Sequence, residues 1–253
     1  MSARTVLITG ASGVVGEVLV SHFLGKGDTV VGIVRREESV AALNARHRGR
    51  SDTLVVLVSD LTAAGAPQPV VAELRRRGLQ PTAAVHSARS LTFLATDDDG
   101  LVGREAFLNE YLLDVVVPYE LTMALALERG SRLGSVVNVG SQYGVVAVNP
   151  GLYASQHSAS PIHYGVAKAG LVHLTRELAI RLAGRGVRVN CVSYGGIEGR
   201  ASVQFKEQYA RFCPQGRMLT ERDIAGPVEF LVSDASSGAT GHNLVVDGGW
   251  TAW

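Results

Sequence analysis

Short apolar segments alternate along this chain with longer segments of helical periodicity. The apolar segments are rich in Val, Ile and Leu and are bounded by turn-forming residues. Such segments predict strands buried on both faces, and the longer segments predict helices. The predicted strands are Thr5 to Thr9, Thr29 to Val34, Leu54 to Val58, Ala83 to His86, Ser135 to Val139, Val187 to Val192, and Leu244 to Val246. The alternation predicts an α/β fold, a doubly wound parallel sheet with helices on both faces.

Two long helical segments stand out in this pattern. The first, Arg104 to Glu128, contains Pro118, which removes a backbone donor and is expected to kink or split the helix. The second, Ile162 to Ala183, carries apolar residues on more than one narrow stripe, so part of it is expected to pack against a second subunit. No stretch has the composition of a linker, and residues 1–253 are predicted to form a single domain.

Composition narrows the classes of partner. Hydrophobic residues make up 46% of the chain and its formal net charge is +1, so we expect no broad electrostatic attraction to nucleic acid or to a membrane. Cys191 and Cys213 lack the spacing of a metal site or disulfide framework and are expected to be buried, reduced thiols. We find no leader-like or membrane-spanning segment, which predicts a cytoplasmic location.

A glycine-rich turn follows the first predicted strand, with the sequence Thr9-Gly10-Ala11-Ser12-Gly13-Val14-Val15-Gly16. Gly10 permits a tight exit from the strand, Gly13 lets the backbone approach a pyrophosphate, and Gly16 lets helix and sheet pack closely. The free N–H groups of the following helix would bind the phosphates. The turn therefore predicts a Rossmann-type dinucleotide site, with Ser12 and Val15 among the cofactor contacts.

The end of the second strand bears on cofactor choice. The segment there ends in Arg35 and Arg36 and lacks the acidic residue that would bond a free ribose 2′-hydroxyl. Because guanidinium groups match phosphate oxygens, the pair favours NADP over NAD. The alternative is that both arginines are solvated at the start of a helix.

Tyr164 and Lys168 are the strongest candidates for chemistry. Side chains four apart on a helix share a face, so the phenol and the ammonium can occupy one site. A nearby cation stabilises the phenolate, and such a tyrosine can exchange a proton with an alcohol oxygen. An exposed helical pair without function is the alternative, which the glycine turn disfavours.

With these motifs in order, the chain resembles the short-chain dehydrogenase/reductase family over essentially its whole length. Ser141, Asn190 to Ile197 and the carboxyl-terminal Asp247-Gly248-Gly249 strengthen the resemblance. It implies a seven-stranded sheet in the order 3-2-1-4-5-6-7 and assembly as a homo-oligomer, a tetramer or dimer. It further implies that Tyr164 is the general acid/base and that Lys168 holds the nicotinamide ribose and tunes the tyrosine.

The same resemblance assigns the remaining site residues. It implies that Ser141 orients the substrate oxygen, that Gly195 and Ile197 line the nicotinamide, and that Asp60 and Leu61 flank the adenine. The segment His86-Ser87-Ala88-Arg89 stands where the family has Asn-Asn-Ala-Gly, so Ala88 and Arg89 are placed beside the cofactor. Tyr194 replaces a usual proline, and Gly199 a frequent threonine, which predicts weaker cofactor affinity.

Two departures change the expected electrostatics. Asp114 falls where the family has an asparagine on the proton path; near Lys168 its charge would hold the lysine charged and oppose a tyrosinate. A register shift that places Asn109 there is the alternative. Arg89 could bind an anionic substrate, pair with Asp114, or point into solvent.

We therefore predict an NADP-dependent oxidoreductase that interconverts a ketone and a secondary alcohol on a polar small molecule, with an anionic substrate as an open option. In the run Gly140 to Ala147, the long connection to Tyr164 and the ending Asp247 to Trp253, the chain resembles family members of bacterial nucleotide-sugar, nonulosonic acid or secondary-metabolite pathways. The alternatives are a redox-inactive NADP-binding sensor or scaffold, and an epimerase or lyase of the same descent. No metal is expected, because His157 and His163 lack a third ligand.

Two aromatic groups in the last quarter of the chain complete the predictions. Phe205, Tyr209 and Phe212 have helical spacing and are expected to form a lid face or an ordinary core stripe. Trp250 and Trp253 are expected to be buried against a neighbouring subunit, with packing in their own domain as the alternative.

Overall fold

The computed structural model describes residues 4–97, 99–153, 160–199 and 201–253. They contain a parallel sheet in the order β3-β2-β1-β4-β5-β6-β7, which confirms the predicted fold and strand order. The strands are β1 (Thr5–Thr9), β2 (Thr29–Val34), β3 (Leu54–Val58), β4 (Ala83–His86), β5 (Ser135–Ser141), β6 (Arg188–Tyr194) and β7 (Asn243–Val246). Strands β5 and β6 run two residues beyond their predicted ends, because Gly140 pairs with Ser193 and Ser141 with Tyr194.

Helices cover both faces of this sheet. They are α1 (Val14–Gly25), α2 (Glu37–Arg46), α3 (Pro67–Arg76), α4 (Arg104–Tyr111), α5 (Val117–Leu127), α6 (Ile162–Leu182), α7 (Val203–Phe212) and α8 (Ala225–Val232). The helix is interrupted as expected, but the interruption lies a few residues before Pro118. A π-helical turn, Leu112–Val116, separates α4 from α5, and Pro118 lies in the first turn of α5, where no N–H is needed.

The hydrophobic core is divided by the sheet into two layers. Val6 and Ile8 of β1 pack towards α1 and α8, whereas Leu7 packs on the other face towards α3, α5 and α6. This alternation follows from the two-residue period of a strand. Because both faces are covered, the strands read as continuous apolar runs, which is why their positions are visible in the sequence.

A smaller third cluster forms beside the carboxyl edge of the sheet. Tyr209 stacks on Trp250 with ring centroids 4.4 Å apart, and Phe212 meets the same indole edge-on at 6.1 Å. Trp250 is thus buried within its own domain, which was the alternative to burial by a partner. Trp253 is 81% exposed in this chain. Cys191 and Cys213 are both buried and free, as predicted.

The parallel arrangement brings the carboxyl ends of all strands to one edge. The chain leaves β1 for one side of the sheet and β4 for the other, so a crevice opens between these two neighbouring strands. In the described part of the chain, no helix is long and apolar enough to cross a membrane.

Candidate active site

The glycine turn occupies the crevice between β1 and β4. Gly10 has φ of 65°, and a Cβ there would lie 2.6 Å from the Cα of Ala88. A Cβ on Gly16 would lie 2.1 Å from the carbonyl oxygen of Gly10. Gly13 precedes α1, whose first turn has no side-chain cap. The first amide groups of α1 therefore lack a side-chain partner, beside Ser12, which is exposed, and Val15, which is half-buried.

Thr9 ties this turn to the end of β4. Its hydroxyl accepts hydrogen bonds from the backbone N–H groups of Ser87, at 3.1 Å, and Ala88, at 3.2 Å. The Ser87 hydroxyl donates in return to the carbonyl oxygen of Thr9, at 2.6 Å. These bonds fix the path of the segment that leads to Arg89 and hold it against the glycine turn.

The proposed adenosine side is lined by exposed polar groups. Arg35 and Arg36 are both exposed after β2, and Asp60 is exposed after β3, while Leu61 is buried. A hydrogen bond from the Thr62 hydroxyl, together with the charge of Arg35, lowers the pKa of Asp60. Arg35 and Arg36 thus remain open to solvent and to any ligand that enters along β2.

Two cations lie near the ring of Tyr164. The Arg89 guanidinium carbon is 4.9 Å from the centroid of the Tyr164 ring, and the Lys168 Nζ atom is 5.7 Å from it. The first residues of α6 pack against the segment after β5, since a Cβ on Gly165 would lie 3.1 Å from the carbonyl oxygen of Tyr143. Tyr164 and Lys168 are thereby brought to the end of the strand that carries Ser141.

Lys168 is buried and paired with Asp114. Its Nζ donates to Asp114 Oδ1 at 3.0 Å and to the carbonyl oxygen of Val139 at 3.1 Å. The two side chains are only 7% and 2% exposed. Burial alone would lower the pKa of Lys168, but the negative charge of Asp114 raises it above its ordinary value. Among the described residues, Asp114 and not Asn109 contacts the lysine.

The π-helical turn explains how Asp114 reaches this position. Its wider winding interrupts the α4–α5 segment and carries Asp114 in its middle, with the side chain directed at α6. Gly170 on α6 permits the close crossing, because a Cβ there would lie 3.3 Å from Tyr111 and Val115 side chains. Such a turn in a helix is common at functional sites.

Ser141 ends β5 and is buried. Its Oγ accepts a hydrogen bond from the backbone N–H of Tyr143 at 3.2 Å, so its own hydrogen can be donated elsewhere. On the neighbouring strand, Gly195 follows β6 at a point where a Cβ would lie 2.8 Å from the Cα of Asp247. Ile197 is half-buried and bridges to Leu219.

Three groups near the site were not predicted to belong to it. Glu110 on α4 is 1% exposed, and neither carboxylate oxygen has a partner among the described residues. Burial and the charge of Asp114 raise the pKa of Glu110 to about 7. Nothing in the local sequence marks this glutamate, because helix packing alone buries it.

His86 and Tyr209 are the other two. The His86 ring is fully buried at the end of β4, with Nε2 2.9 Å from the Thr122 hydroxyl, and burial lowers its pKa to about 4. The Tyr209 hydroxyl donates to Gln142 at 2.8 Å and accepts from the N–H of Gly196 at 2.9 Å. Tyr209 thus links the segment after β5 to the segment after β6, although its sequence pattern indicated only a lid or core residue.

The structure also shows where three other residues named in the sequence analysis lie. His163 is buried, and its Nε2 lies 2.6 Å from the carbonyl oxygen of Phe93. His157 lies outside the described residues. Tyr194, in place of proline, bonds the carbonyl oxygen of Ile224. Arg89 is exposed but covers Tyr164, and no salt bridge joins it to Asp114 in the described residues.

Comparisons with known proteins bear on this geometry. The profile of a family described as Enoyl-(Acyl carrier protein) reductase matches residues 10–251. An uncharacterized oxidoreductase of Schizosaccharomyces pombe is 32% identical over 265 residues, which covers 100% of this chain and 92% of that protein. A crystal structure of a short chain dehydrogenase from Leptospira borgpetersenii with bound NAD+ has a TM-score of 0.85 at 30% identity, covering 98% of this chain and 93% of that one.

Two further relatives match over less of their length. An uncharacterized short-chain type dehydrogenase/reductase of Sinorhizobium fredii is 32% identical over 280 residues, or 98% of this chain and 43% of that protein. Post-translational flagellin modification protein A of Campylobacter coli is 39% identical over 117 residues, or 46% of either protein. The matches thus span less than half the length of these two relatives.

Proposed function

Because the chain belongs to the short-chain dehydrogenase/reductase family, we propose that it interconverts a ketone and a secondary alcohol on a polar small molecule with NADP. Members of this class act on CH–OH groups with NAD or NADP. The observation that carries the proposal is the convergence of Tyr164, Lys168 and Ser141 at the carboxyl edge of β5.

In this proposal, each side chain has one task. Tyr164 gives a proton to the carbonyl oxygen during reduction and takes it back during oxidation. The Ser141 hydroxyl donates a hydrogen bond to the same oxygen and fixes its position. Lys168, held by Asp114 and Val139, keeps a positive charge beside the phenol. The bound nicotinamide supplies or accepts the hydride at the carbon atom.

The glycine turn fits a dinucleotide on its own chemistry. The uncapped first turn of α1 offers amide hydrogens, and Gly13 presents no side chain that would keep a pyrophosphate away. We propose that Asp60, Leu61, Ala88, Gly195 and Ile197 complete the cofactor site. A substitution such as Gly13→Val should weaken nucleotide binding in calorimetry, while Gly25→Val at the other end of α1 serves as its control.

The choice of NADP rests on Arg35 and Arg36. Both are exposed beside the end of β2, where guanidinium groups could hold a 2′-phosphate. The Leptospira relative carries NAD+, so the preference must be measured on this chain. We expect the double variant Arg35→Ala/Arg36→Ala to lose about 10- to 100-fold in affinity for NADP and little for NAD. Equal losses for both nucleotides would contradict this assignment.

The redox function itself is tested by removing one hydroxyl. Tyr164→Phe should lower kcat by about 10²–10⁴-fold, because the proton donor is lost while the ring remains. Tyr119→Phe on α5 makes the same chemical change at an exposed site and is the matched control. The assay follows NADPH absorbance with keto-sugars, aminocyclitol ketones and other polar ketones. Full turnover by Tyr164→Phe would refute the proposed role.

The substrate panel begins with sugar-derived ketones for two reasons. The sequence around Ser141 and the carboxyl terminus resembles family members of nucleotide-sugar or nonulosonic acid pathways, and one partial relative is named for flagellin modification. Activity on sugar-derived ketones above that on simple ketones would support this narrower proposal. A preference for unfunctionalised ketones would remove it.

We also propose that the chain assembles with copies of itself. Apolar side chains on α4 and α6 are exposed in the single chain, with Leu108 62%, Tyr111 41% and Val166 45% exposed. Exposed apolar surface of this kind favours association. Light scattering should give a dimer or tetramer, and Leu108→Glu/Val166→Glu should shift it towards the monomer.

One observation favours a redox-inactive sensor as the second candidate. Asp114 pairs directly with Lys168, which reduces the positive charge available to the phenol. This candidate predicts tight NADP binding without turnover on any ketone. An epimerase or lyase would retain its nucleotide through many turnovers, so accumulation of free NADP+ distinguishes the oxidoreductase from it.

A further inference from the structure

The charges around Tyr164 form an unusual set. From α4 and the π-helical turn come Glu110 and Asp114, from α6 comes Lys168, and from the segment after β4 comes Arg89. Among the described residues, other titratable groups near the ring are Tyr143 and Tyr153, whose hydroxyls bond each other at 2.9 Å, and the buried His163, while His86 lines the same small cavity as Asp114 and Lys168.

The effect of Lys168 on the phenolate of Tyr164 is weakened here by a neighbouring carboxylate. Lys168 Nζ is 3.0 Å from Asp114 Oδ1 and 5.7 Å from the Tyr164 ring centroid. Seen from the phenol, the field of the ammonium is therefore opposed by that of the carboxylate. Both side chains are buried, so solvent does little to separate their effects.

The charge of Arg89, unlike that of Lys168, is not opposed by a paired carboxylate among the described residues. Its guanidinium lies 4.9 Å from the Tyr164 ring centroid, closer than Lys168, and no described carboxylate forms a salt bridge with it. The Thr9 bonds to Ser87 and Ala88 fix the backbone from which it extends. A planar guanidinium over an aromatic face is held there by cation–π attraction.

We propose that Arg89 is a positioning residue whose charge stabilises the Tyr164 phenolate in place of the charge that Asp114 removes from Lys168. The inference rests on the proposed acid/base role of Tyr164. It assigns a function to the two departures together: the negative charge introduced by Asp114 and the positive charge introduced by Arg89 compensate each other at the phenol. Removing the charge of Arg89 or of Asp114 alone would then move the pH midpoint of Tyr164 ionisation, in opposite directions.

The test measures tyrosinate absorbance against pH in cofactor-free protein. The spectrum of each variant is compared with that of its Tyr164→Phe counterpart, so the difference reports Tyr164 alone among the seven tyrosines. Arg89→Met should move the midpoint upward by about one pH unit, because a cation near the phenolate is lost. Asp114→Asn should move it downward, and the double variant should return close to the parent. Arg89→Lys should move it less than Arg89→Met.

Kinetics with a substrate found in the panel provide the second readout. The pH of half-maximal oxidation should shift in the same order as the absorbance midpoints. An unchanged midpoint in Arg89→Met would overturn the proposal. So would a raised KM for anionic substrates with an unmoved pH profile, which would make Arg89 a substrate anchor. Because the absorbance titration needs no turnover, an inactive protein with the predicted midpoints would refute the redox function and leave the role of Arg89 standing.

Discussion

Two clusters of charged side chains lie at opposite edges of the same sheet. The amino-edge cluster lies where the strands begin and consists of Arg4, His22, Asp28 and Glu229. The Arg4 guanidinium donates to Asp28 at 2.6 Å and to Glu229 at 2.9 Å, and His22 lies 3.2 Å from Glu229. The backbone N–H of Arg4 also donates to Asp28 at 3.0 Å. The Asp28 and Glu229 oxygens therefore all have partners.

The carboxyl-edge cluster consists of Arg89, Glu110, Asp114, Tyr164 and Lys168. Here Asp114 Oδ2 and both Glu110 oxygens are buried without a partner among the described residues. Unpaired buried polar atoms cost stability, so a cluster built only for stability would not keep them. The comparison indicates that the amino edge holds β1, β2 and α8 together, while the carboxyl edge keeps polar atoms that lower stability, as the proposed active site would require.

The largest effect is expected from breaking the buried pair of the carboxyl-edge cluster. Lys168→Met leaves Asp114 buried without its counter-charge, which should lower the free energy of unfolding by about 3–5 kcal/mol. Urea denaturation at neutral pH measures this loss. Adding Asp114→Asn removes the stranded charge and should restore most of the stability, but not the activity. A double variant as unstable as Lys168→Met would show that packing of the lysine stem, and not charge, dominates.

A smaller loss is expected at the amino edge. Arg4→Met removes both side-chain ion pairs, but the Arg4 backbone N–H still supports Asp28 and the cluster is partly open to solvent. We expect a loss of about 2–3 kcal/mol in unfolding free energy, measured in urea, with kcat unchanged. Arg46→Met, at an exposed pair with Glu17, is the matched control and should change little. A change in kcat would contradict the inference that the amino-edge cluster contributes to stability alone.

The sequence reveals the regular features of this molecule because their causes are local. Buried parallel strands must be apolar on both faces, and the turn after β1 needs Gly10 in a left-handed conformation and Gly16 against its carbonyl oxygen. The helical pattern of Ile162 to Ala183 places Tyr164 and Lys168 on one helix, and the family resemblance draws attention to Asp114. The contact between Asp114 and Lys168 agrees with that expectation.

Features produced by tertiary packing could not be predicted in the same way. Glu110 sits in an ordinary polar helix segment and becomes buried only where α4 crosses α6. His163 is covered by Phe107 and bonded to the Phe93 carbonyl, neither of which is its sequence neighbour. The π-helical turn has no signature except Pro118, and proline alone indicated a kink at its own position.

A pH-dependent effect should distinguish Glu110 from the satisfied carboxylates of the amino edge. Its pKa in the folded protein is about 7, above that of a glutamate in an unfolded chain, so the folded state binds the additional proton. Its contribution to stability is therefore complete below about pH 4.5 and is lost as the pH rises to about 7. Over this window the parent should lose on the order of 2 kcal/mol relative to Glu110→Gln.

Urea midpoints of both proteins across this range test the prediction. The comparison between parent and variant cancels the opposite trend from His86, whose lowered pKa makes stability rise with pH between about 4 and 6.5. Parallel curves for the two proteins would mean that Glu110 does not titrate in this window. Glu229→Gln at the amino edge provides the matched glutamate substitution.

The smallest effect is expected where a carboxylate is bonded to exposed arginines. Glu73 on α3 accepts hydrogen bonds from Arg76 and Arg77, which hold its pKa at about 2. Solvent screens these pairs, so Glu73→Gln should leave the urea midpoint unchanged within error. This variant separates hydrogen-bond satisfaction from burial, since Glu73 is fully bonded like Asp28, but its side chain is 30% exposed and that of Asp28 only 6%. If Glu73→Gln lost as much stability as Arg4→Met, hydrogen bonding alone would account for the stability of the amino-edge cluster. Burial would then not be needed to explain the difference between the two clusters.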